Sequence, residues 1–250
     1  MTAEKGPIAR RRLPKTSDYL AGELRAQILG NGLQPGTPLA SEGELIDAYG
    51  LSRGSVREAL RLLEAEGLID IRRGPKGGIS VVHPDTGHVA KSLALLFTIQ
   101  ESTVGDFFQF RLAVEPQVAS DAARYGSQEQ KLSILRVAKA AADDPERTAE
   151  FHAELGRCAS NSIFGVLLAA LHQVLEWHLR LESIGPSDFE ATVAAHRRIA
   201  DAIFDGDADR AETAMRRHLE AFQALLNEHG RLNEPIVPRS NWRRDPSVVP

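Results

Sequence analysis

Apolar residues recur every three to four positions through most of the chain, and the rhythm breaks at clusters of Gly, Pro and Asn. From Ser17 onward Leu20, Leu24, Ile28 and Leu29 fall on one side of a helix that Gly30-Asn31-Gly32 terminates. The turn-rich connector LQPGTPL leads to a second, short helix. Ser41 opens it, and Glu44 three residues later completes a capping box. Tyr49-Gly50 closes it. Ser52 is a good N-cap for a third helix that turns Val56, Ala59, Leu60 and Leu63 inward until Gly67. The period then changes. LIDIRR and GISVV are β-rich and flank GPKG, which predicts a two-stranded wing.

After HPDTG (83–87) the helical period returns and holds. It predicts helices near 88–99, 103–125, 128–142, 145–160, 163–183, 188–205 and 208–229. Capping signals mark several starts: Ser127 with Gln130, Asp144 before Pro145, Ser187 with Glu190, and Asp207 after Gly206. The expected fold is mainly α: an N-terminal winged helix-turn-helix with a two-stranded wing, then an all-α antiparallel bundle. The expected domains are a flexible basic arm (1–16), the winged module (17–82), a linker (83–87), the bundle (88–230) and a loose tail (231–250) rich in Pro, Arg and Asn.

Composition narrows the class. Hydrophobic residues make up 42% and charged residues 26% of the 250, as in an ordinary globular protein with a core to bury. No apolar run is long enough to span a bilayer, and the start of the chain lacks the apolar stretch of a signal peptide. A single cysteine, Cys158, cannot form an internal disulfide, which favours a cytoplasmic location. Net charge is -4 but uneven: residues 1–82 hold 12 Lys/Arg against 10 Asp/Glu, and the remainder holds 18 against 24. The first 16 residues carry five basic side chains and one acidic one, which suits a polyanionic partner as well as a solvated tail.

The third helix carries the chemistry of the N-terminal module. Arg53 and Arg57, four apart, share one face, with Ser55 between them near the helix start. B-DNA's major groove admits one α-helix, and an Arg fork fits guanine O6/N7 or a phosphate. In the wing, Gly77 and Gly78 allow close backbone approach, while Arg73 and Lys76 supply charge for phosphates or the minor groove. Arg72 is left undecided, since neighbouring strand residues face opposite ways. The segments PGTPL, SE-EL, YGLSRGSVREAL--LEAEGLI and GGISVV resemble the DNA-binding domain of GntR-family bacterial transcription regulators, over residues 17–82. The resemblance implies that Arg53, Ser55 and Arg57 contact an operator and that Gly77-Gly78 lie at the wing tip. Many members carry an Arg where this chain has Gly43, so that contact is missing here.

The helical remainder resembles the FCD ligand-binding domain of the FadR subgroup, through FRLAVEPQVASDAARYG (110–126), FHAELGRCASNSIF (151–164) and AHRRIADAIFDGDADRAETAMRRHL (195–219). His152, His196 and His218 fall on three separate predicted helices, and neutral imidazole is a common metal ligand. They match the three histidines that, with an Asp four residues before the first, hold a divalent metal (Zn or Ni) in many FCD domains. Here that Asp is Thr148, and a hydroxyl is a poor substitute for a carboxylate. Three readings follow: metal held by three histidines with water or an effector carboxylate; an anionic effector bound directly by imidazoles and arginines; or a vestigial site. Arg111, Thr148 and His178 are the candidate effector contacts. Arg111 and Glu115, at i and i+4, read equally well as a surface ion pair. Cys158 reads as a small core residue.

Three functions are weighed. The leading one is a transcription regulator that binds a pseudo-palindromic double-stranded operator as a homodimer and answers to a small metabolite, with repression as the family pattern. The effector is an organic acid in a metal-centred pocket, or a fatty acid or acyl-CoA in the metal-free branch. The second is a hydrolytic metalloenzyme, against which stand the lack of HExxH and of a placed general base. The third is an architectural DNA-binding protein without sequence preference.

Overall fold

The computed structural model describes residues 15–72, 74, 77–140, 150–178 and 186–243. Arg73 and Lys76 of the wing tip, and Thr148, lie outside the described residues. The chain divides into two compact units, Met1–His88 and Val89–Pro250.

The first unit contains α1 (Thr16–Gly30), α2 (Glu42–Tyr49), α3 (Arg53–Ala65) and the strands β1 (Ile69–Arg72) and β2 (Gly78–Val81). Its core is assembled from the expected stripes: Leu20, Leu24 and Ile28 of α1, Leu45 of α2, and Val56, Ala59, Leu60 and Leu63 of α3. Leu29 departs from expectation, with 63% of its surface exposed, because it sits a full 100° step around the helix from Ile28. Ser41 and Glu44 make both halves of the capping box, and Ser52 accepts from the Ser55 amide. Gly67 (φ 71°) ends the run after α3, and its missing side chain matters: a Cβ there would stand 2.9 Å from the His88 ring. The antiparallel wing pairs Ile69 with Val81 and Arg72 with Gly78. The LQPGTPL connector also joins the wing. Gly36 donates to Val81 O (2.8 Å), Leu39 donates to Ile79 O (2.8 Å), and the Val81 amide donates to Thr37 O (2.9 Å). The free edge of β2 is thereby covered.

The second unit is built from α4 (Thr86–Gln100), α5 (Val104–Tyr125), α6 (Gln128–Ala140), α7 (Glu150–Arg157), α8 (Ser162–His178), α9 (Pro186–Asp205) and α10 (Ala208–Glu228). The Ser127–Gln130 box and the Asp207 N-cap both form. Asp144 lies outside the described residues. α10 packs along α5 and α9, α6 along α9, and α7 along α8. Phe108, Ala119 and Ala122 of α5 meet Ile199 and Ile203 of α9 and Met215 and Leu219 of α10 in one buried cluster. α7 approaches α8 closely because Gly156 faces Gly165; a Cβ on Gly165 would come within 2.8 Å of Gly156 O.

The tail is not loose where it is described. Val104 donates to Glu234 O (2.9 Å), Gly105 to Leu232 O (2.8 Å) and Ile236 to Ser102 O (2.9 Å). Ile236 and Val237 are buried, and Trp242 Nε1 donates to Thr98 Oγ1 at 2.8 Å. Polar composition misled the sequence reading: a few apolar residues with satisfied backbone suffice to dock a segment. Ile236→Val should therefore cost about 1 kcal/mol in urea unfolding, as for a core methyl group. No measurable cost would show the segment unpacked.

Candidate functional site

Two sets of residues carry chemistry. The first is the exposed start of α3. Ser52 caps the helix, and its hydroxyl lies 3.0 Å from that of Ser55, which also accepts from Thr16 Oγ1 at 3.2 Å. Arg53 and Arg57 project into solvent on the same side. Glu42, the first residue of α2, faces both: Arg57 Nε donates to its two carboxylate oxygens at 2.9 and 3.1 Å, and Arg53 Nε lies 3.7 Å away. The sequence reading missed this residue. Its signal was available: an acid at the helix start immediately after the Ser41 cap, in the SE-EL segment. Exposed ion pairs of this kind contribute about 0–1 kcal/mol, so Glu42 orders the arginines without locking them. Around Gly43 the space is open, with nothing within 4 Å of where a Cβ would stand. In the wing, Gly77 and Gly78 are exposed, and Arg72 is held by Asp70 at 2.8 Å.

The second set lies inside the helical unit. α7, α9 and α10 each contribute one histidine from a stripe that is otherwise apolar. On α9, His196 shares its buried face with Ile199, Ala200 and Ile203; on α10, His218 shares its face with Ala211, Met215 and Leu219. The three rings converge tip first. His196 Nε2 is 3.1 Å from Nε2 of His152 and 3.1 Å from that of His218, and the last two are 3.3 Å apart. The ring centroids are 4.6–5.3 Å apart, so the nitrogens are the closest points. Phe151 stacks on His196 at 4.2 Å and fixes its plane.

This geometry tests the fit of a metal. With about 2.0–2.1 Å from zinc to imidazole nitrogen and tetrahedral angles, bound nitrogens stand about 3.3–3.4 Å apart. The observed triangle is close to that. Burial, and then the Arg111 charge, push His218 down to about 4; burial holds His152 and His196 well below the usual imidazole range. All three rings are neutral at pH 7 and offer lone pairs. Without a cation an Nε2–H of one ring can donate to the lone pair of the next; with a cation between them all three lone pairs can face it. The residues fit a divalent metal.

Arg111 and Glu115 of α5 flank the triangle and are buried, not the surface pair that their spacing alone allowed. Arg111 donates to Glu115 through Nε (2.5 Å) and Nη2 (3.2 Å), and its guanidinium lies 5.1 Å from the Phe108 ring centre. An enclosed pocket beside His152 is lined by Arg111, His172 and the apolar Phe107, Phe110, Leu168 and Leu171. His178 does not line it. It sits at the end of α8 against Asn241 and Trp242 of the tail. Six residues separate His172 from His178, which places them about 120° apart around α8. His172 is the one whose ring approaches His152, at 5.8 Å. Outside the bundle, a cleft of about 1390 Å³ between α9 and α10 reaches His218. Cys158 is buried, and burial pushes its thiol up to about 12, so it is an inert packing residue.

Comparison with known proteins bears directly on both sites. Residues 16–80 match the bacterial regulatory proteins of the gntR family, and residues 106–221 match the FCD domain. The chain carries a gntR-type DNA-binding domain followed by an FCD domain. It is 29% identical over 241 residues to the HTH-type transcriptional repressor NanR of Enterobacter sp. (strain 638), covering 90% of this chain and 89% of that one. It is likewise 29% identical over 243 residues to NanR of Salmonella typhimurium, covering 92% and 90%. A solved Streptococcus agalactiae GntR structure shares the fold, with a TM-score of 0.67 over 84% of this chain and 99% of that one, at 23% identity. These relatives are regulators, which sets aside the metalloenzyme reading.

Proposed function

We propose that this chain is a cytoplasmic GntR-family repressor of the FadR subgroup that binds a pseudo-palindromic operator as a homodimer and releases it in response to a small carboxylate. In this reading Arg53 and Arg57 enter the major groove, with Ser55 at the helix start on a phosphate. Arg73, Lys76, Gly77 and Gly78 place the wing on the adjacent backbone. Two copies are needed because a single half-site gives weak discrimination.

The observation that carries the sensory half is the buried, convergent Nε2 triangle of His152, His196 and His218. A divalent metal (Zn or Ni) held there supplies positive charge and open coordination positions for an anionic oxygen. Neutral imidazoles alone attract no anion, which disfavours direct binding of an acid by the histidines. The sequence offers no carboxylate at Thr148, and Arg111 and Glu115 neutralise one another, so the centre keeps its full positive charge for an incoming acid. The space beside His152 is too small for an acyl-CoA. Effector binding that differs between DNA-competent and incompetent arrangements shifts their populations.

Operator binding by variants tests the DNA half. Arg53→Ala and Arg57→Ala should each weaken binding by about 1–3 kcal/mol in anisotropy titrations at fixed salt. Unchanged affinity in both removes the recognition-helix assignment.

A further inference from the structure

The histidine centre has a feature on its outer side that no ligand motif announces. Glu115 is 2% exposed, as deeply buried as the apolar core around it. One of its oxygens, Oε2, lies 2.7 Å from His152 Nδ1, on the far side of that ring from the converging Nε2 atoms. The contact is close but not aligned as a linear hydrogen bond. The same carboxylate takes both arms of the Arg111 fork, at 2.5 and 3.2 Å. Arg111 is in turn held over the Phe107 and Phe108 rings. The Nδ1 atoms of His152 and His196 are both buried without an aligned hydrogen bond, but a carboxylate oxygen lies beside that of His152. Of these two rings, only His152 has a carboxylate behind it.

We infer that Glu115, fixed by Arg111, is the positioning residue of the metal centre: it keeps the proton of His152 on Nδ1 and so presents the Nε2 lone pair to the metal. The inference rests on the proposed metal site. A carboxylate behind a ligating imidazole fixes the tautomer and ring plane and raises the basicity of the ligating nitrogen. This matters more here than in a site with an anionic ligand, because the sequence has Thr148 at the position where the family resemblance implies an Asp. It also ties the metal to α5, since Arg111 lines the enclosed pocket and shares its carboxylate with the ligand set.

The test is metal binding by full-length protein, read by zinc competition with a chromophoric chelator and by the visible absorption of the cobalt-loaded form. Glu115→Gln removes the charge. Arg111→Met with Glu115→Gln removes it without leaving a buried unpaired cation. Both should bind zinc about 10–100-fold more weakly than the parent, with displaced cobalt bands. In a His152→Ala background, Glu115→Gln should cause no further loss, because the ring it acts through is gone; a merely structural role would weaken metal binding there as well. Parent-like affinity and spectra in both variants would overturn the inference while leaving the metal site standing. A parent protein that takes up no metal would overturn both.

Discussion

His196→Ala or His218→Ala should abolish the response of the protein to zinc. Structural zinc sites in small peptides bind with about 10–16 kcal/mol, and removing one of three protein ligands forfeits roughly a third of such a total. That is about 3 kcal/mol at the lower end, a loss of about a hundredfold in affinity. Zinc at a hundred times its dissociation constant stabilises the folded parent by about 2.7 kcal/mol. In a domain of this size that raises the melting temperature by about 5–10 °C. At the same zinc concentration either variant should show almost no rise. Variants that retain the parental shift and stoichiometry would place the metal elsewhere.

The metal-free protein should lose stability steeply in mild acid. An imidazole in the unfolded chain titrates near 6.5, whereas His218 in the folded bundle titrates near 4. Between those values the unfolded chain binds more protons, so protonation favours unfolding. The stabilisation is fully present above about pH 6.5 and drains away as the pH falls toward 4. For His218 alone the linkage amounts to about 2 kcal/mol between pH 7 and pH 5, and about 3 kcal/mol over the whole window. His152 and His196 are depressed in the same direction by burial and add to it. Urea midpoints measured with chelator at pH 7 and pH 5 check this, and His218→Ala should flatten the dependence. Equal stability of the parent at both values would show that the rings are not buried neutral.

Much of this architecture was legible in the residues. Ser41 with Glu44, Ser52, Ser127 with Gln130 and Asp207 each act locally, and each forms the cap its spacing predicts. The histidine triangle was legible through family likeness, since nothing local in three helices says that their rings will meet. What the sequence hid depends on long-range contacts. Glu42 reaches two arginines on another helix, 11 and 15 positions away. Arg111 and Glu115 read equally well as pocket residues or as a surface i, i+4 pair, and the choice between them is made by the packing of α7 and α10 on α5. His178 and the tail found each other across 63 residues, which no local pattern reports.

The most direct test is operator affinity of chelator-treated protein, measured by anisotropy on a labelled duplex from its own upstream region against a scrambled duplex. Zinc and a panel of small monocarboxylates are then added separately and together. The parent should prefer the operator duplex, and an acid should weaken that binding only when zinc is present and not at all in His196→Ala. An acid effect that is the same without zinc, or in that variant, would contradict metal-centred sensing. Equal affinity for the scrambled duplex would contradict operator recognition itself.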